Sequence, residues 1–120
     1  MSVVNDPALH EYPLDDRINF DRFHRENPHV FSTFKQRAFA MRATGRLKYG
    51  ARTIIENMRW DYDIATTGDV FLINDDYVPM YARLFLHRNP KMLQPIPFFE
   101  LRRVRSRGRM SDEERERRGL

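Results

Sequence analysis

Asn74-Asp75-Asp76-Tyr77-Val78-Pro79-Met80-Tyr81-Ala82-Arg83-Leu84-Phe85-Leu86-His87-Arg88-Asn89-Pro90 is the stretch on which the reading of the fold turns. Val78, Tyr81, Leu84 and Phe85 recur at three- and four-residue spacing, which predicts an amphipathic helix over residues 77–87. Asn74, Asp75 and Asp76 offer side-chain caps for its start, and Asn89-Pro90 ends it. Pro79 falls in the first turn, where a missing N–H does little harm. Just upstream the period changes. Tyr62 and Ile64 alternate with Asp63 and Ala65, Thr67-Gly68-Asp69 supplies a turn, and Val70-Phe71-Leu72-Ile73 is a short β-prone run. That pattern predicts a β-hairpin over residues 61–74.

Further upstream, Ile54, Ile55 and Met58 put one apolar stripe on a helix over residues 51–60, with Gly50 as punctuation before it. Asn27-Pro28 is a helix start signal, and Val30, Phe31, Phe34, Ala38 and Met41 continue it to Thr44, with Gly45 as C-cap. A short helix over residues 19–26 pairs Phe20 with Phe23, and residues 1–18 read as an extended arm containing Pro7 and Pro13. Downstream, residues 90–97 hold three prolines and form a loop, after which Phe98-Phe99 docks back as a last strand through Leu101. The expected fold is therefore α+β: a mainly helical small single domain with one β-hairpin, arranged in a winged-helix-like order. Residues 1–18 are the arm, 19–101 the globular domain and 102–120 an Arg-rich C-terminal tail.

Composition narrows the function classes. The chain has 120 residues and no cysteine, which excludes a disulfide scaffold, a zinc finger and a thiol nucleophile. Its longest clean apolar run is four residues, far short of the ~20 of a membrane span, and the first residues lack the basic and apolar segments of a secretory signal. A cytoplasmic location and no membrane partner are expected. Charge is divided unevenly: residues 1–100 carry 13 Lys/Arg and 13 Asp/Glu, whereas residues 101–120 carry eight Arg and four acids. Within 101–110, Arg102, Arg103, Arg105, Arg107 and Arg109 stand without any acid. Such a segment would neutralise phosphates and give a steep salt dependence, or fold against an acidic protein partner.

Arg46, Lys48 and Arg52 flank Gly50 and form a smaller basic cluster at a helix start, where free N–H groups add to the side-chain charge. Arg83, with His87 and Arg88, would project from the 77–88 helix toward base edges, against the plain alternative of solvated charges. Tyr49, Tyr62, Tyr77 and Tyr81 offer a base-stacking platform, with at least two of them expected in the core. Arg59 beside Trp60 suggests a cation–π pair, although the Trp also suits a core position. His24 and His29 do not share a helix face as metal ligands would, and His10 and His87 are isolated. Asp61 and Asp63, with Glu56 and Lys48, are the weak material of a metal-dependent nuclease. No phosphate loop or nucleophile elbow is present, so no catalytic residue, metal or cofactor is assigned.

An ordered series runs through the chain: Phe23-His24-x-x-Asn27-Pro28-His29-Val30, Arg59-Trp60, Phe71-x-Ile73-Asn74, Tyr81-Ala82-Arg83-Leu84, Asn89-Pro90 and Phe98-Phe99-Glu100-Leu101-Arg102. Over residues 20–105 this resembles a family of small, functionally uncharacterised proteins encoded in bacteriophages and prophages. The resemblance implies a phage context in a bacterial host cell and carries over no activity, cofactor or catalytic residue. Where members tend to have an Asn-rich run before the Tyr, this chain has Asn74-Asp75-Asp76, whose carboxylates would repel a phosphate at that helix start. The expectation is a non-enzymatic phage-type accessory protein that binds nucleic acid, DNA first, through Arg102, Arg103, Arg105, Arg107 and Arg109, helped by Arg46, Lys48, Arg52 and Arg83. The alternative is a protein-binding module, such as a phage-encoded inhibitor of a host or defence enzyme.

Overall fold

The computed structural model describes residues 2–59, 73–102 and 104. Four helices follow in order: α1 (Leu14–Glu26), α2 (Pro28–Ala43), α3 (Ala51–Arg59) and α4 (Tyr77–Arg88). Short 3-10 turns at Pro7–Leu9 and Pro90–Leu93 bracket them. α1 begins earlier than the sequence suggested, because Pro13 sits at the N-cap and Asp15 and Asp16 occupy the first turn, where the helix dipole favours acids. Thr44 caps the C-terminus of α2 and is followed by Gly45 at φ 97°, the left-handed conformation that glycine adopts without a Cβ penalty.

Three Asx-Pro pairs, Asp6-Pro7, Asn27-Pro28 and Asn89-Pro90, each open a helical turn. Asn27 and Asn89 share nearly the same backbone, with φ/ψ of −132°/61° and −131°/71°. In each, Nδ2 donates back to the carbonyl of a Phe four residues earlier, Phe23 at 3.0 Å and Phe85 at 2.8 Å. The asparagine thus closes the preceding helix with its side chain while the proline starts the next turn. After Pro28 the chain continues as a helix; after Pro90 it is stopped by Pro95 and Pro97.

α4 is the centre of the fold. Val78, Met80, Tyr81, Ala82, Leu84, Phe85 and Leu86 are all buried, so the helix is covered on nearly every side rather than along one stripe. Tyr81 packs edge-on against Phe20 of α1 at 4.8 Å between ring centroids and stacks with Phe31 of α2 at 5.7 Å. Phe85 meets Phe34 and Phe99 edge-on. The segment expected as an extended arm packs on this core: Val3 and Leu9 are buried, and the Pro7–Leu9 turn packs on α4.

The α+β, winged-helix-like expectation is corrected by this architecture, because no strand forms among the described residues. Most of the expected hairpin, residues 61–72, lies outside the described residues. Ile73, the last residue of its β-prone run, is buried, but its carbonyl accepts from the Arg59 guanidinium (Nη2, 3.1 Å) instead of a ladder partner. The expected last strand at 98–101 is also absent. Phe98 and Phe99 plug into the helical core, and the Tyr49 N–H donates to the Phe98 carbonyl at 2.9 Å without a ladder around it.

Candidate nucleic-acid interface

The N-terminal strap, residues 2–12, is tied down by charged groups on α1 and α4. The Val3 N–H donates to Asp21 Oδ1 at 2.7 Å, and Arg25 Nε donates to Asp21 Oδ2 at 2.8 Å. Burial pushes the Asp21 carboxyl up, but these hydrogen bonds outweigh it and hold the group below its ordinary value. Arg17 donates to the carbonyls of Tyr12 (3.0 Å) and Val4 (2.8 Å), and Arg88 pairs with Asp6 at 3.3 Å.

Between this strap, the starts of α3 and α4 and residues 100–102 and 104 lies a groove of about 800 Å³. Lys48, Arg52, Arg83 and Arg102 line it, together with Asp16, Asp76 and Glu100 and the rings of Tyr12, Tyr49 and Tyr77. Four of the cations expected from the sequence to meet nucleic acid therefore converge here from three separate stretches of chain. Lys48 pairs with Glu100 at 3.3 Å and Arg52 with Asp75 at 3.3 Å, each through half-exposed side chains. Pairs of that kind contribute little to stability, because solvent screens them, and exchange readily for a phosphate. Arg46 lies over the Tyr49 ring at 5.5 Å and is exposed. A hydrogen bond from Arg59 at 3.0 Å, with the charge of Arg52 beside it, holds Asp75 below its ordinary value.

Arg83 does not project toward a ligand as expected. Its side chain is only 13% exposed. Nε donates to the Tyr12 hydroxyl at 3.2 Å, Nη2 donates to the Arg102 carbonyl at 2.7 Å, and Nη1 lies 3.7 Å from Glu11. Arg83 thus joins the strap to the root of the tail. Arg103, Arg105, Arg107 and Arg109 lie outside the described residues, as do Trp60, Asp61, Tyr62 and Asp63.

Of the tyrosines, Tyr49 and Tyr77 border the groove, while Tyr81 is fully buried in the core. The Tyr81 hydroxyl finds no hydrogen-bond partner among the described residues, and burial, with Tyr77 nearby, raises its pKa far above the ordinary value. His24 stacks on Phe20 with its Nδ1 likewise unpartnered; burial first, then the charge of Arg88, lowers its pKa. Glu56 is engaged with Arg59, and no group of three or more His or acidic side chains among the described residues is placed to hold a metal ion. No described helix is long and apolar enough to cross a membrane.

Missed from the sequence are the groove residue Tyr12 and its neighbour Glu11, which pairs with Arg83. The one available signal was Asp6-Pro7, which has the same form as the two Asn-Pro helix starts. No family model, curated protein or solved structure matches this chain.

Proposed function

We propose that this protein is a non-enzymatic, phage-type accessory protein of the bacterial cytoplasm that binds nucleic acid, DNA first, with the Arg-rich tail supplying most of the phosphate contacts. The observation that carries the reading is the convergence of Lys48, Arg52 and Arg102 on one groove, with Arg102 also the first residue of the acid-free run 102–109 of the sequence. Lys48, Arg52 and the exposed Arg46 extend the cationic track from the tail onto the folded body. Asp16, Asp76 and Glu100 limit what the body alone contributes, so the tail dominates.

Fluorescence anisotropy on single-stranded and duplex DNA across salt tests this, comparing the full chain with one ending at Val104. The full chain is expected to weaken linearly on a log–log salt plot with a slope of about 4, from roughly five phosphates neutralised. The truncated chain should lose most of that slope. No binding at low salt, or equal binding without the tail, contradicts the reading. A second reading, a protein-binding module, is supported by Leu14 and Ile18, one turn apart on α1 and 52% and 40% exposed. A partner docking there would be indifferent to the truncation.

A further inference from the structure

Between Glu26 and Glu56 the chain carries no acid, and Lys35, Arg37, Arg42, Arg46, Lys48 and Arg52 all fall in that interval, which runs through α2 into α3. A solvated helix ordinarily mixes both signs, as α1 does with Asp15 and Asp16 beside Arg17, and Asp21 beside Arg22 and Arg25. Lys35, Phe39 and Arg42 stand at i, i+4 and i+7 of α2, so they share one flank of the helix. Phe39 is 44% exposed between the two cations. Its ring is backed by the buried Phe85 of α4, with centroids 5.2 Å apart, and its outer side is open. Past Gly45 the pattern recurs. The exposed Arg46 lies over the ring of Tyr49, which stacks in turn on the buried Phe98. Lys35, Arg42 and Arg46 make no ion pair among the described residues.

We infer that this flank of α2, with Arg46 and Tyr49 beyond the helix end, is a face of the folded body for single-stranded nucleic acid: an unpaired base stacks on Phe39, and Lys35 and Arg42 meet the flanking phosphates. This rests on the protein binding nucleic acid, as proposed above, and does not depend on the tail. Cations alone serve duplex and single strand alike. An open ring held from behind by the core selects the strand whose bases are free, because stacking needs the face of an unpaired base. A protein surface of mixed charge would bring its own cations against a face that has no acid to receive them. A phosphate chain brings only the opposite charge.

The test is fluorescence anisotropy of the full chain on an oligothymidine of about 16 nucleotides and on a DNA duplex of the same length. Phe39→Ala and Phe39→Leu should each weaken the single strand by about tenfold, the loss of one stacked base, and leave the duplex unchanged. Lys35→Gln combined with Arg42→Gln should lower the single-strand salt slope by about 1.4, at about 0.7 for each phosphate contact. If Phe39→Leu binds as wild type, the ring supplies only apolar bulk and the inference fails. It also fails if single strand and duplex weaken by the same factor, or if neither weakens. Polyglutamate is the control: binding as tight as that of oligothymidine, with the same loss in Phe39→Leu, makes the face one for an acidic protein and overturns the inference. Melting curves check that the variants fold. If the Phe39 variants do not, the Lys35 and Arg42 double variant decides, a lowered slope supporting the face and an unchanged one overturning it. A wild-type chain that binds neither form removes the nucleic-acid reading as a whole, an outcome distinct from binding that ignores Phe39.

Discussion

The two ends of the described chain border the same groove and meet on the same guanidinium, yet they are held in different ways. The N-terminal strap is anchored by burial: Val3 and Leu9 are 2% and 0% exposed, and Asp21, Arg17 and Arg88 each bond to it. The C-terminal root is anchored at Phe98 and Phe99 and then surfaces, with Glu100, Leu101 and Arg102 exposed and Arg83 gripping the Arg102 carbonyl. One end is part of the core; the other is a departure point. The difference shows that an end of chain becomes structural when it carries a few apolar residues that reach the core, and surfaces where those residues run out.

The largest expected effect separates the two ends by stability. Leu9→Ala should destabilise by about 2–5 kcal/mol, since it empties a fully buried site beside α4. Leu101→Ala, at 40% exposure, should stay within about 0.5 kcal/mol. Urea denaturation of both variants checks this, and equal losses would break the comparison. Asp21→Asn is next, at about 1–3 kcal/mol, because the acceptor for the Val3 N–H and for Arg25 loses its charge.

The same carboxylate predicts an acid limb. With its pKa lower in the folded than in the unfolded chain, Asp21 contributes stability that is present above the unfolded value, near 3.8, and lost as pH falls through the folded one. His24 adds a limb of the same sign at higher pH. Its folded pKa is also depressed, so below the ordinary value of 6.5 the unfolded chain takes up the proton first and stability falls. Denaturant midpoints measured from pH 7 to pH 3 should decline in both windows, and Asp21→Asn should flatten the lower one.

Beneath both ends, Tyr81→Phe removes a buried hydroxyl that has no partner among the described residues and should stabilise by up to about 1 kcal/mol; a loss in thermal or urea unfolding would contradict that. The smallest effect expected of a paired side chain belongs to Arg88→Ala. Its pair with Asp6 is partly exposed, so the strap should lose under about 1 kcal/mol, measured the same way.

The helices were legible because their signals are local: a 3.6-residue apolar period and Asn-Pro starts over residues 27–44, and a single stripe of Ile54, Ile55 and Met58 over residues 51–59. The docking of the strap was not, since Val3 and Leu9 are isolated apolar residues with no period, and their partners Asp21 and Arg17 look like the wet face of a helix. Arg83 was misplaced for a related reason. Four apolar positions suggested one stripe on α4, whereas Met80, Ala82 and Leu86 extend the apolar surface around the helix. A helix apolar on nearly all sides is a buried helix, and an arginine within it is committed to partners inside the molecule. The basic cluster at 46–52 was visible in sequence, but its pairing with Glu100 and Asp75 depends on tertiary contacts no spacing reveals.

The claim that one guanidinium joins the two ends is tested most directly by hydrogen exchange over residues 98–104 of the full chain, with and without Tyr12→Phe and Glu11→Gln. Loosening Arg83 from the strap side should make the C-terminal root exchange several-fold faster while the core of α4 keeps its protection. If exchange quickens only in the strap and the root is unmoved, the ends are held independently and Arg83 is not their joint.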